Sequence, residues 1–157
     1  MKKALVTGAA GFIGSHVTRQ LLDQGVEVRG LLYPGESRTN LQGLDVELLE
    51  GDICDADAIR PAFEGVDTVF HLAAIYAIWM PDWSRIYDVN LLGSRNVLWA
   101  SLRAGVERVV YTSSIAGIGI AAGKGVSDET TPFNQHTLGH HYVLTKHLSQ
   151  EEALGFA

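Results

Sequence analysis

Cysteine is all but missing: Cys54 is alone among 157 residues, so no intrachain disulfide can form, and a reducing, cytoplasmic setting is expected. Proline numbers only four. No Pro/Ser-rich linker, internal repeat or low-complexity tract divides the chain, so residues 1–157 read as one domain around one core. The chain also lacks excess positive charge: 12 Lys and Arg stand against 18 Asp and Glu, a formal net charge of -6. That sign repels phosphodiester backbones, which excludes a general nucleic-acid role and leaves room only for a local phosphate site. No apolar run approaches the ~20 residues of a membrane helix. Met1-Lys2-Lys3 and the apolar residues after it faintly resemble a secretory leader, but Gly8, Gly11 and Gly14 break the run. A buried strand entering a glycine turn explains it better. His136, His140, His141 and His147 lie close in sequence, yet no carboxylate or cysteine joins them at ligand spacing, so no metal site is expected.

What is present is a globular composition, 46% apolar and 19% charged, arranged as alternating strand-like and helix-like segments. Ala4-Leu5-Val6, Val26 to Leu32, Val46 to Glu50, Thr68 to Leu72 and Arg108 to Thr112 read as strands. Helices are predicted over Phe12 to Gln24, Ala56 to Phe63, Ser84 to Ala104 and His140 to Leu154. In the long third helix Ile86, Val89, Gly93 and Val97 share a face. Strands separated by helices imply parallel pairing through right-handed crossovers. The expected fold class is therefore α/β, a Rossmann-type doubly wound parallel sheet of order 3-2-1-4-5.

Gly8-Ala9-Ala10-Gly11-Phe12-Ile13-Gly14 lies between the first strand and the first helix. A pyrophosphate binds best at a helix N-terminus, where unpaired N–H groups and the helix dipole favour negative charge. Side chains would hold it away, so Gly8 and Gly11 suit the turn and the close approach, while Gly14 lets the helix pack on the strand. The spacing has one residue more in its first gap than the commonest fingerprint. Its strand–turn–helix context points to a dinucleotide.

Together with Gly51-Asp52-Ile53, His71-Leu72-Ala73-Ala74, Asn90, Tyr111-Thr112-Ser113-Ser114 and Tyr142-Val143-Leu144-Thr145-Lys146, this turn resembles the extended short-chain dehydrogenase/reductase family, of the NAD-dependent epimerase/dehydratase type. The wording is most similar to the dihydroflavonol-reductase-like branch. The matching stretches keep the family's order and run almost the length of the chain. The resemblance implies that Asp52 and Ile53 flank the adenine and that Leu72, Ala73 and Ala74 line the groove under the cofactor. Thr112 would border it too. Asp52 as a strand-end cap, and Ala73-Ala74 as plain packing, remain alternatives.

Tyr142 and Lys146, four apart in a helix, share a face. A phenol titrates near pH 10, and an adjacent ammonium favours its ionised form, fitting Tyr142 to exchange a proton with a carbonyl as hydride moves. The resemblance implies that Lys146 also holds the nicotinamide ribose and that Ser114, rather than Ser113, bonds the substrate oxygen. Asn90 would help place Lys146 or a relay water, or else distort its own helix by bonding nearby backbone. Tyr76, Trp79 and Trp83 line a substrate pocket or pack their loop.

At the end of the second strand Tyr33 replaces the acid that usually selects NAD, and Arg38 follows in the loop, which favours NADP over NAD. The first functional expectation is an NAD(P)-dependent oxidoreductase acting on a carbonyl or secondary alcohol. A sugar-nucleotide epimerase or dehydratase, and a non-catalytic nucleotide-binding module, are the alternatives. A homodimer through the long helices is expected. Family members continue past the last helix into further strands and a C-terminal substrate lobe. Residues 1–157 are therefore expected to be a truncated chain with an exposed fifth strand.

Overall fold

The computed structural model describes every residue from Met1 to Ala157. Five short strands, β1 (Lys3–Thr7), β2 (Glu27–Leu32), β3 (Glu47–Glu50), β4 (Thr68–His71) and β5 (Arg108–Tyr111), pair in parallel in the order β3-β2-β1-β4-β5. The register sets Thr7 beside both Leu31 and His71, so the C-terminal ends of the three central strands open on one side. Residues of β1 are buried on both faces: Leu5 joins Leu31, Val69 and Phe63 in one core, while Ala4 and Val6 join Val28 and Leu32 in the other. A central parallel strand covered twice must be apolar on both faces, which is why Ala4-Leu5-Val6 is a run and not an alternation.

Helix α1 (Phe12–Asp23) covers the second core through Leu21. Helix α2 (Ala56–Ile59) starts where the Asp55 carboxylate accepts from the N–H groups of Asp57 and Ala58 at 3.1 and 3.0 Å. It tightens into a 3₁₀ turn over Arg60–Phe63 at Pro61, whose nitrogen has no hydrogen to give.

The predicted long helix differs in its middle. Regular turns α3 (Ser84–Tyr87) and α4 (Ser94–Arg103) flank a π-helical segment, Asp88–Gly93. Ile86, Val89 and Val97 remain buried along one face, and at ~2 kcal/mol per buried aliphatic side chain they outweigh the poorer π geometry. The last helix, α5 (His141–Gly155), packs against α3, the π segment and α4. β5 is the outer strand at one edge and β3 at the other, and Arg108 and Val110 of β5 are exposed.

Candidate functional site

At the C-terminal ends of β1, β2 and β4 lies a cleft of about 650 Å³. Its walls include Gly8 and Gly11, Tyr33 and Glu36, Asp52 and Ile53, the strip Leu72–Ile75, and Arg85. Gly8 has φ +66°, a left-handed conformation that glycine adopts without strain, and a Cβ there would lie 3.0 Å from the Ala73 backbone. A Cβ on Gly14 would lie 2.1 Å from the Gly8 carbonyl oxygen, so the turn and helix approach only because both side chains are missing. Gly11 is the N-cap of α1, no side chain caps the helix, and its first turn holds no acid. Phe12 and Ile13 stand exposed beside this positive helix end. An anion is the natural partner for such an end, and the narrow glycine cradle leaves backbone for it to reach.

Asp52 is placed in the cleft with both oxygens engaged: Oδ2 accepts from Arg85 Nη2 at 2.8 Å and Oδ1 from the Cys54 N–H at 2.9 Å. Burial alone would raise its pKa, but the bonds from Arg85 and Cys54 outweigh it and hold the carboxyl below its usual range. Asp52 is thus both the expected strand-end cap and a cleft wall. Arg85, whose guanidinium also lies 5.8 Å from the centre of the Tyr33 ring, was missed in the sequence. No motif marks it, and only the fold carries it to the cleft.

Arg38 does not line the cleft; its guanidinium pairs with Glu50 Oε1 at 2.8 Å on the surface. The charged side chain that does reach the cleft from this loop is Glu36, whose carboxylate accepts from the Tyr33 N–H at 3.2 Å.

On the far side of β4, Lys146 is buried and donates to the Tyr111 hydroxyl at 2.9 Å and to the Thr112 carbonyl at 2.8 Å. Its ammonium also lies 4.6 Å from the centre of the Tyr111 ring. Burial lowers the Lys146 pKa and Tyr142 partly offsets the drop. Burial likewise raises that of Tyr111, which therefore stays a neutral phenol. The Tyr142 ring meets Tyr76 edge-on at 4.9 Å. Trp83 stacks on His141 at 4.6 Å and Tyr87 bonds that histidine at 3.0 Å. Trp83 therefore packs its loop onto α5, whereas Tyr76, despite its contact with Tyr142, and Trp79 are largely exposed. His136 and His147 lie against Phe133 in the same aromatic fashion.

Ser113 gives its hydroxyl proton to Gln150, while Ser114 Oγ accepts from the Ala116 N–H at 3.1 Å and keeps its own proton free. The Asn90 amide makes no direct bond to Lys146 and none to its own helix: Oδ1 accepts from the Ile75 N–H at 2.7 Å, and Nδ2 donates to the Ile75 carbonyl at 2.9 Å and to Thr145 Oγ1 at 3.2 Å. The amide ties the cleft strip to α5, one residue before Lys146.

Sheet order, glycine cradle and cleft define a Rossmann-type dinucleotide-binding α/β protein. The chain belongs to the NAD dependent epimerase/dehydratase family, whose model matches residues 4–157. It is 38% identical over 149 residues to a Synechocystis protein named for dihydroflavonol 4-reductase, covering 95% of this chain and 43% of that protein. Among solved structures it resembles gox2253 with a TM-score of 0.91 at 40% identity, over 99% of this chain and 47% of that one. It also resembles the Bordetella bronchiseptica enzyme WbmG in complex with NAD and UDP, with a TM-score of 0.82 at 26% identity, over 96% and 48% of the two chains. The chain thus spans less than half the length of these relatives.

Proposed function

We propose that residues 1–157 are one nucleotide-binding unit of an NAD(H)-dependent oxidoreductase that interconverts a carbonyl and a secondary alcohol. The observation that carries this reading is the buried Lys146, fixed by Tyr111 and the Thr112 carbonyl one helical turn beyond Tyr142. Bound nicotinamide would supply or take the hydride. Tyr142 gives its phenolic proton to the carbonyl oxygen in reduction and takes it back in oxidation. Lys146 donates two of its three N–H groups to Tyr111 and Thr112 and keeps one for the nicotinamide ribose. Ser114 donates its free proton to the substrate oxygen, where charge develops. In the full-length enzyme, Tyr142→Phe is expected to retain cofactor affinity while losing roughly 100-fold or more in kcat. Near-parental turnover would assign the proton to another group.

NAD is favoured over NADP by the same geometry. The NADP reading draws on Tyr33 in place of an acid and on Arg38; Arg38 is paired with Glu50, whereas the carboxylate of Glu36 supplies an acid in the cleft that suits a ribose 2′-hydroxyl and repels a 2′-phosphate. Glu36→Gln is expected to narrow the preference for NADH over NADPH, and Arg38→Ala to leave it unchanged. A loss confined to NADPH in Arg38→Ala would restore the NADP reading.

A sugar-nucleotide epimerase is the second reading, favoured by the likeness to WbmG with NAD and UDP. It would return its cofactor unconsumed after each turnover. A homodimer through the long helices is supported by exposed Leu92, Trp99 and Leu102 on the π segment and α4 and by Leu154 on α5. Sedimentation equilibrium of Trp99→Lys against the parent tests it, a monomeric parent overturning the idea.

A further inference from the structure

Beneath the cleft a buried histidine takes no part in the chemistry above. His71, at the end of β4, is 1% exposed. Its Nδ1 lies 2.7 Å from Thr7 Oγ1, and its Nε2 lies 3.0 Å from Ser94 Oγ.

The neighbours settle which nitrogen carries the proton. Thr7 Oγ1 accepts from the N–H groups of both Leu72 and Ala73, each at 3.2 Å. A hydroxyl oxygen has two acceptor sites and one proton, so with both sites used Thr7 can only donate to His71. Nδ1 is therefore bare, and a neutral ring must carry its hydrogen on Nε2. That hydrogen goes to Ser94 Oγ, whose own proton goes to the Asn90 carbonyl at 2.7 Å. Every bond has one direction, from Thr7 through His71 and Ser94 into the π segment.

The far end of the chain returns to the cleft, because the Asn90 side chain grips Ile75 by both its N–H and its carbonyl. The strip Leu72–Ile75 is thus held near its start by Thr7 and at its end by Asn90. Its position is critical, since the Ala73 backbone packs so close to Gly8 that a Cβ there would lie 3.0 Å from it. We infer that His71 is a positioning residue of the cofactor cleft, locked as the Nε2–H tautomer so that the Thr7 oxygen accepts both amides of the cleft floor. A hydrogen on Nδ1, in the other tautomer or in imidazolium, would take one acceptor site of Thr7 and release Leu72 or Ala73. Burial, with a smaller contribution from the Lys146 charge, pushes the His71 pKa down to about 3 and keeps the ring neutral.

The role rests on the dinucleotide reading of the cleft, but its test has an arm independent of cofactor. Long-range ¹⁵N–¹H correlation spectra of the histidine-labelled chain at pH 7 are expected to show one ring with a bare Nδ1 and a protonated Nε2, missing in His71→Gln. Hydrogen exchange at the Leu72 and Ala73 amides is expected to speed up about tenfold or more in the near-isosteric Thr7→Val and to stay near parental in Thr7→Ser. NADH affinity should fall about tenfold in Thr7→Val and be restored in Thr7→Ser, with both variants folded by circular dichroism. An Nδ1–H or doubly protonated His71, or unchanged exchange in Thr7→Val, would overturn the inference. A parent that binds no dinucleotide but shows the expected tautomer and exchange would defeat the reading of the cleft and leave the orienting role of His71 standing.

Discussion

His71 and Lys146 are two titratable side chains buried in their less charged direction, and each leaves a measurable mark. The folded-state pKa of His71 is depressed to about 3 from an ordinary 6.5, so between these values the unfolded chain binds the proton and the folded chain does not. Stability from this residue is fully present above about pH 6.5 and is lost as pH falls toward 3, by roughly 1.4 kcal/mol per pH unit. Urea denaturation of the parent at pH 7, 6 and 5 is expected to show that decline, and His71→Gln to flatten it. A parental stability that does not change over this range would contradict the burial of a neutral ring. At Lys146 the useful neighbour is Tyr111, whose hydroxyl accepts from the ammonium and lies 2.5 Å from Ser149 Oγ. Removing that oxygen in Tyr111→Phe leaves the ring contact and the Thr112 carbonyl but frees the ammonium to swing. A hydrogen bond to a charged group contributes about 1.5–3 kcal/mol, so NADH affinity is expected to drop about tenfold in a calorimetric titration. Unchanged affinity would mean that Lys146 is placed by Thr112 alone.

Among the elements, the π segment Asp88–Gly93 matters most, because it turns Asn90 into the interior at 1% exposure. Asn90→Ala would strand the Ile75 N–H and carbonyl without partners, and a buried unpaired group costs about 1–3 kcal/mol. A loss of roughly 2–4 kcal/mol in urea denaturation is expected, with NADH affinity reduced as the strip slackens. A loss below about 0.5 kcal/mol would show that solvent reaches Ile75 and replaces the amide. The sequence reveals this region only in part. The apolar spacing of Ile86, Val89 and Val97 reports a buried helical face, and that face exists. The inserted π turn leaves the apolar stripe intact, so spacing alone carries no trace of it, and the partners of Asn90 lie 15 and 55 positions away. Strands and the glycine turn were legible because local chemistry sets them: apolar runs for doubly covered strands, and glycines where backbone must approach backbone. Arg38 and Arg85 were not, because each has its carboxylate partner on another part of the chain, Glu50 for one and Asp52 for the other.

At the scale of the whole molecule, five parallel strands carry the glycine cradle, Glu36 and the Leu72–Ile75 strip to one cleft. The His71 and Asn90 bonds tie that cleft to the helix bearing Tyr142 and Lys146. Cleft and α5 are therefore one mechanical unit, and no helix of the structure is long and apolar enough to cross a membrane. The proposed function requires this cleft to hold a nicotinamide dinucleotide with its pyrophosphate at the N-terminus of α1. Calorimetric titration of NADH into the 157-residue chain, beside Gly11→Val, tests it most directly. A Cβ at position 11 would lie 3.2 Å from the Gly8 carbonyl, a contact the turn can relax, so the variant should fold while its branched side chain blocks the pyrophosphate. The expected result is one saturable site in the parent and a loss of affinity exceeding about tenfold in the folded variant, or about 1.4 kcal/mol. Equal affinities in parent and variant, or no binding of NADH or NADPH to the parent, would contradict the account.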